Sequence, residues 1–325
     1  MSESTHAALD DVLSMLESWD LIVVSNRQPY RHTFDADEEI VVDRPAGGLT
    51  AGLDPVVQET DGTWVAWGDG DADRIATDDD SSVRVPPEDP AYTLKRVWLS
   101  ESDVADYYYG FSNRVLWPLC HSLDDKVTFE DRHWERYREV NQKFADSVDD
   151  TLGTDSDGET EATDSSETGD TGSAGTGETD SDRDTVVWFQ DYHFGLAPVF
   201  VREAVGTDAL LSQFWHIPWP EREVFRDCPH GAELLRGLLA NDLLGFHVPT
   251  YCANFLDCVA TMVPEAAVDW ESWTVTLADG DHETRVRAFP MGVDTEGIAD
   301  YAAAPDEGFW EEFRADYGIP DEQQV

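Results

Sequence analysis

Lysine is almost missing from this chain. Only Lys95, Lys126 and Lys143 occur in 325 residues, and 69 acidic residues face 21 basic ones. A formal net charge of −48 repels polyanions, which excludes nucleic acid and anionic membranes as expected partners. Long apolar runs are also lacking. None approaches the roughly 18 residues of a spanning helix, and the opening MSESTHAALDDVLSMLESWD is acidic and amphipathic rather than a signal peptide. Cysteine is sparse: Cys120, Cys228, Cys252 and Cys258 show no CxxC spacing and stand in apolar or helical contexts. Reduced core thiols are therefore expected, with no zinc site and no disulfide framework. Neither a GxGxxG run nor a Walker loop occurs, which leaves dinucleotide and P-loop readings unsupported.

Aromatic residues are plentiful. With 12 Trp, 14 Phe, 10 Tyr and 41% hydrophobic residues, the chain can build the core of one large domain or two ordinary ones. The stretch 149–184 holds 13 acids and one arginine, yet the remainder still carries −36, so the acidity is global. Such a surface repels itself unless salt screens it, which points to a cytoplasmic protein of a halophile.

Strand and helix signals alternate. LIVV (21–24) is a short continuous apolar run, as a buried parallel strand requires. GTWVAWG, TLKRVWLS, TVVWFQ, LLSQFW and DLLGFHV read as further strands, and WTVTLADGDHETRVRAF as two strands around an Asp-Gly turn. Helices are expected after Gly47-Gly48, from Ser102 to Tyr109 without a capping box, from Glu130 to Val148, and in PVFVREAV, GAELLRGLLAN and PTYCANFLDCVATMV. The pattern predicts an α/β fold, a Rossmann-like doubly wound sheet. Residues 1–148 and 185–300 would form one domain. The Gly/Ser/Thr/acid tract 149–184 has too little apolar surface to order itself and is expected to be a disordered insert.

In doubly wound sheets ligands bind at the carboxyl ends of the strands. Ser25, Asn26 and Arg27 follow LIVV; Asp191, Tyr192 and His193 follow TVVWFQ; His216 follows LLSQFW, ahead of Pro218 and Pro220; His247 follows DLLGF; Pro290 to Asp294 follow RVRAF. Polar groups after strand upon strand suggest one polar cleft, although a lone His216 reads equally as a core or capping histidine. Gly47 and Gly48 before a helical run let backbone amides approach an anion, or else make a plain turn. YYYGFSNRVLWPLCH (107–121) suits a sugar-binding wall or a buried core.

Eight stretches, SNRQPY, GGLTAGL, WVAWGD, DYYYGFSNRVLWPLCH, WFQDYHFGLAP, FWHIPWPEREVFR, NDLLGFH and RVRAFPMGVD, occur in an order and spacing that resemble the trehalose-6-phosphate synthases of glycosyltransferase family 20. The resemblance runs from Leu21 to about Ile298. It implies a GT-B glycosyltransferase that moves glucose, with retention, from a nucleotide-glucose, usually UDP-glucose, to glucose 6-phosphate. No cofactor and no essential metal are implied. Carried over residue by residue, it places His216 at the donor glucose and Gly48 near the donor diphosphate. Arg27 would meet the acceptor phosphate, Tyr108, Trp117 and Trp67 would wall the acceptor pocket, and Asp191 would accept hydrogen bonds from acceptor hydroxyls. His216 and Asp191 are the expected catalytic pair.

The family continues with an Arg–Asp-Tyr–Lys-Gly strand and a second Rossmann domain that carries most donor contacts. Here the sequence ends at GIPDEQQV, so it resembles the N-terminal, acceptor-side half, with 301–325 leading into the connection. A separate C-terminal Rossmann half and a homo-oligomer are compatible partners. Two alternatives stand beside the enzyme: a non-catalytic sugar-phosphate-binding or regulatory half, and a glucosylglycerol-phosphate synthase type with another acceptor.

The charge balance makes a prediction of its own. Screening should relieve repulsion between surface carboxylates, so the melting temperature should climb steeply with KCl into the molar range. A flat response in thermal melts would contradict the halophilic reading.

Overall fold

The strands predicted from continuous apolar runs lie in the middle of a ten-stranded sheet, ordered β10-β11-β12-β9-β8-β7-β1-β4-β6-β5. A computed structural model describes residues 19–45, 47–156, 184–278, 282–290 and 292. The strands are β1 (Trp19–Arg27), β2 (Arg31–Phe34), β3 (Ile40–Asp43), β4 (Thr63–Trp67), β5 (Ser82–Val85), β6 (Tyr92–Val97), β7 (Asp184–Gln190), β8 (Ala209–Trp215), β9 (Leu243–Phe246), β10 (Ala266–Asp269), β11 (Thr274–Leu277) and β12 (Glu283–Ala288). From β12 across to β6 every pairing is parallel. Antiparallel strands close both edges, β5 on β6 at one side and β10-β11 on β12 at the other. The fold class is the predicted α/β, Rossmann-like sheet, mixed at its edges.

Burial on both faces explains why LIVV does not alternate in polarity. Leu21 and Val23 belong to one apolar cluster with Trp64, Tyr92 and Leu94. Ile22 and Val24 face a larger one, built with Phe111, Tyr137, Phe144, Phe189 and Leu234. A strand covered on both sides needs apolar residues at every position. The helices Asp131–Ser156, Ala197–Val205, Gly231–Leu238 and Pro249–Met262 contribute to the larger cluster. Close approach fixes one of these contacts: a Cβ on Gly237 would overlap the carbonyl oxygen of Gly195, directly behind the β7 loop. All four cysteines are buried and unpaired.

Three local expectations change. The helix predicted from Ser102 starts earlier, because Ser100 caps it. Ser100 Oγ accepts from Asp103 N at 3.1 Å, and Asp103 Oδ2 accepts from Ser100 N at 2.8 Å, a full capping box. The helix then continues not as α but as a π-helix, Val104–Leu116, ending in the short turn Trp117–Cys120. The helix predicted to stop at Val148 runs to Ser156, so it takes the first eight residues of the expected insert. Its apolar stripe extends there: Thr151 is buried with its hydroxyl on Ser147 O at 2.8 Å, and Leu152 packs on the core. Sequence composition, which flagged the acids at 149 and 150, overlooked that stripe.

The hairpin β2–β3 and the edge strands β5 and β10 are four residues each, too short to stand out from the sequence, and go beyond the expected elements. The sheet and its helices fall within the unit Met15–Pro290. The insert beyond Ser156 and the expected connection at 301–325 lie outside the described residues, as does the N-terminal amphipathic segment.

Candidate active site

From β1 the sheet grows outward through β4 and β6, then returns to the other side of β1 and grows through β7, β8 and β9. The direction therefore reverses between β1 and β7. Strand connections diverge at such a point and leave a crevice outside the carboxyl ends. β1 ends at Arg27 and β7 at Gln190, so Arg27 and Asp191 issue from neighbouring strand ends at that crevice.

A bulge aims Arg27. β1 pairs Ser25 with Ala66 and Arg27 with Trp67, leaving Asn26 as an extra residue. An inserted residue turns the next side chain to the other side of the pleat. The bulge is secured from within: Trp64 Nε1 donates to Ser25 Oγ at 2.8 Å, and the Tyr107 hydroxyl donates to Asn26 Oδ1 at 3.0 Å. Arg27 thus leaves the sheet beside Trp67, and its Nη2 lies 3.5 Å from the Tyr108 hydroxyl. That hydrogen bond is the main reason the guanidinium pKa is raised.

The π-helix sorts three consecutive tyrosines into three environments. Tyr107 is in the core, Tyr108 is half-buried, and Tyr109 is 57% exposed. Tyr108 stacks on His193 at 5.6 Å and 14°, and tilts against Trp67 at 6.3 Å. Long π-helical segments are rare and concentrate at functional sites.

Asp191 holds a conformation that favours glycine, with φ 72° and ψ 179°. Such strain persists only where surrounding bonds over-determine it. Here Oδ1 accepts from Tyr192 N at 2.9 Å and from His216 N at 3.2 Å. Asp191 N donates to Phe214 O at 2.7 Å, and Gln213 Nε2 donates to Asp191 O at 3.0 Å. Burial pushes the carboxyl up to about 7, against the lowering effect of the two backbone N–H groups. His193, enclosed and near Arg27, is pushed down to about 3. His216 falls to about 4, through burial first and His247 second. Both imidazoles are therefore neutral at physiological pH.

Two cavities adjoin at Asn26, Arg27 and Pro45. One, of about 240 Å³, is lined by these residues with Arg31, Trp67, Asp69, Tyr108 and Asn113 among others. The second, of about 170 Å³, is bounded by Gly47, Leu49 and Thr50 on one side and by Gln190, Asp191 and His193 on the other. The structure thus brings together Arg27, Trp67, Tyr108 and Asp191. Gly47 and Leu49, rather than Gly48 between them, line the cavity; Gly48 is the first residue of the helix Gly48–Thr60. His216 lines neither, but sits behind Gln190 and Asp191, with its Nε2 3.0 Å from Gln190 Oε1. Its loop is pinned by buried Trp219, whose carbonyl accepts from Asn254 at 3.0 Å. Trp117 stands apart, 41% exposed and stacked on His121 at 4.1 Å.

Arg31, Gln190 and Thr50 line these cavities without having been singled out from the sequence, and His193 was noted only as a residue after a strand. Position at the end of β7, or just after it, was the available signal for Gln190 and His193. Arg31 and Thr50 depend on the unpredicted hairpin and on the helix start.

A family model, glycosyltransferase family 20, matches residues 19–157 and 177–312. The chain belongs to glycosyltransferase family 20. The break in the match falls inside the acidic tract. A curated relative, the trehalose-6-phosphate synthase of Mycolicibacterium vanbaalenii, is 32% identical over 287 residues, which are 87% of this chain and 52% of that protein. Among solved structures, the E. coli trehalose-6-phosphate protein bound with UDP-2-fluoro glucose is 27% identical with a TM-score of 0.65, covering 91% of this chain and 54% of its own. A Burkholderia xenovorans alpha,alpha-trehalose-phosphate synthase (UDP-forming) in complex with glucose-6-phosphate is 25% identical with a TM-score of 0.64, covering 91% and 55%. The chain spans about half the length of the curated relatives it matches. Within this family 20 chain, no helix among the described residues is long and apolar enough to cross a membrane. None of its described His, Cys, Asp or Glu residues form a group of three or more placed to hold a metal.

The raised carboxyl predicts a signed stability effect. The folded chain keeps the Asp191 proton up to about pH 7, while the unfolded chain loses it near 3.8. Between those values the folded state binds more protons, so this group's contribution falls as pH rises and stays low above 7. Asp191→Asn keeps an oxygen for both N–H donors and removes the buried charge. It should therefore raise the melting temperature at pH 8, with the gain shrinking toward pH 4. An equal effect at both pH values would contradict this account.

Proposed function

We propose that this chain supplies the acceptor side of a retaining glucosyltransferase that moves glucose from UDP-glucose to glucose 6-phosphate, giving α,α-trehalose 6-phosphate. One observation carries the reading: Arg27, walled by Trp67 and Tyr108, opens into a second cavity bearing Asp191 and His193. That arrangement suits a ligand with an anion at one end and a polyhydroxylated ring at the other. Support comes from the relatives that hold UDP-2-fluoro glucose and glucose-6-phosphate.

In this reading the guanidinium of Arg27 takes the acceptor phosphate through charge-assisted bonds. Trp67 and Tyr108 offer ring faces to the sugar. Asp191, when ionised, accepts from sugar hydroxyls through Oδ2, since Oδ1 already serves two backbone donors. Backbone amides at Gly47 and Gly48 open a helix whose N-terminus suits the donor diphosphate. Neutral His216 would meet the donor glucose. No carboxylate is assigned as a nucleophile: retention follows from front-face attack, with the leaving phosphate taking the acceptor proton. No cofactor is required.

Calorimetric titration of the chain with glucose 6-phosphate tests this. Binding should be measurable, and Arg27→Ala should weaken it by about 10- to 150-fold, the loss of a hydrogen bond to a charged group. Equal affinity in parent and variant would contradict the phosphate role.

A further inference from the structure

We propose that Gln190 joins the sugar pocket to the reaction centre, holding the His216 imidazole with Oε1 while its amide nitrogen, together with His193, receives the hydroxyls of a pyranose ligand. The proposal rests on the acceptor-side reading and adds two residues to it.

Gln190 is the last residue of β7, only 1% exposed, and lines the 170 Å³ cavity. Its two amide atoms differ sharply in their surroundings. Oε1 is 3.0 Å from His216 Nε2, whereas Nε2 is buried without a partner. Gln213, on the neighbouring strand and equally buried, is the internal contrast. Its Nε2 donates to Asp191 O at 3.0 Å and its Oε1 accepts from Asn241 at 3.2 Å. A glutamine kept for structure alone has both ends bonded, as Gln213 does. A buried donor left open loses its hydration with no return unless a ligand supplies an oxygen.

His193 repeats the pattern. Its ring is clamped between Tyr108, at 5.6 Å, and Tyr192, at 4.2 Å, and its Nε2 is buried and unpartnered. Arg31 Nε, on the wall of the adjoining cavity, is also unpartnered. Among the described residues eight buried polar atoms lack partners, and three of them belong to residues lining these two cavities. Unpartnered polar atoms thus gather where the proposed sugar sits.

The geometry gives Gln190 two tasks. Accepting from His216 Nε2–H fixes the imidazole in one tautomer and leaves Nδ1 free as an acceptor. Presenting Nε2 to a hydroxyl oxygen complements Asp191, which accepts a hydrogen bond from a hydroxyl, so a sugar is read by a donor and an acceptor on consecutive residues. Gln190 is a positioning residue toward His216 and a contact toward the acceptor ring.

Nitrogen-15 NMR of the full chain tests the first task without any variant: His216 should be the Nε2–H tautomer. Gln190→Met should then give mixed tautomers, and should weaken glucose 6-phosphate about tenfold, as for one lost bond to a buried group, while leaving inorganic phosphate unchanged. His193→Phe, which keeps the ring stack, should show the same selective loss. An Nδ1–H tautomer in the parent would overturn the proposal. So would a folded Gln190→Met that keeps both its tautomer and its sugar affinity. A parent that binds no glucose 6-phosphate overturns the acceptor reading, and with it the sugar contact, while the tautomer still decides the hold on His216.

Discussion

One carboxylate oxygen ties two strand ends together. Asp191 Oδ1 takes the backbone N–H of Tyr192, leaving β7, and that of His216, leaving β8. Those bonds hold Asp191 in a backbone region that costs roughly 1–3 kcal/mol for a residue with a side chain. Burial of the same carboxyl lifts its pKa to about 7 despite those bonds. The Gln190–His216 pair, the stack of His193 on Tyr108 and the floor of the smaller cavity all depend on that fixed turn. Strain, a raised carboxyl pKa and unpartnered polar atoms converge on residues 190–193, where the strand order reverses direction.

The sheet itself was legible in the sequence because it obeys simple periodicities. A strand apolar at every position, such as Leu21–Val24, must be covered on both faces, and two separate clusters cover it. Polar residues directly after such strands marked Arg27, Asp191 and His216. Other features depend on tertiary contact and leave little trace. The bulge at Asn26 exists because Trp64 and Tyr107 bond to it from different elements. The π-helix looks like an ordinary helix in sequence, yet it decides that Tyr107 enters the core while Tyr108 and Tyr109 line the cavity. Gln190 reads as one more polar strand end until its partnerless nitrogen is seen against the fully bonded Gln213. Trp117, named through resemblance, joins none of the described cavities.

Charge and function pull in opposite directions here. A chain with net charge −48 repels a sugar phosphate at long range. Arg27 and Arg31, both lining the 240 Å³ cavity, supply positive charge there, although Arg31 also leans on Asp43 at 2.5 Å and Asp69 at 3.7 Å. Salt shortens the reach of the general repulsion to the Debye length, about 10 Å at 0.1 M, while contacts inside the cavity are screened less. High ionic strength would then favour both the fold and the approach of an anionic ligand. This is the reverse of what a basic anion-binding protein shows.

A sugar-phosphate site in the crevice between β1 and β7 would show itself in a crystal structure of the chain soaked with glucose 6-phosphate. The phosphate should lie against Arg27 and the ring between Trp67, Tyr108 and Asp191, with hydroxyls on Gln190 and His193. A ligand with no contact to Arg27, found instead in the depression of about 420 Å³ beside Leu99, Glu101 and Ala105 that lies across Trp67 and Tyr109, would contradict such a site.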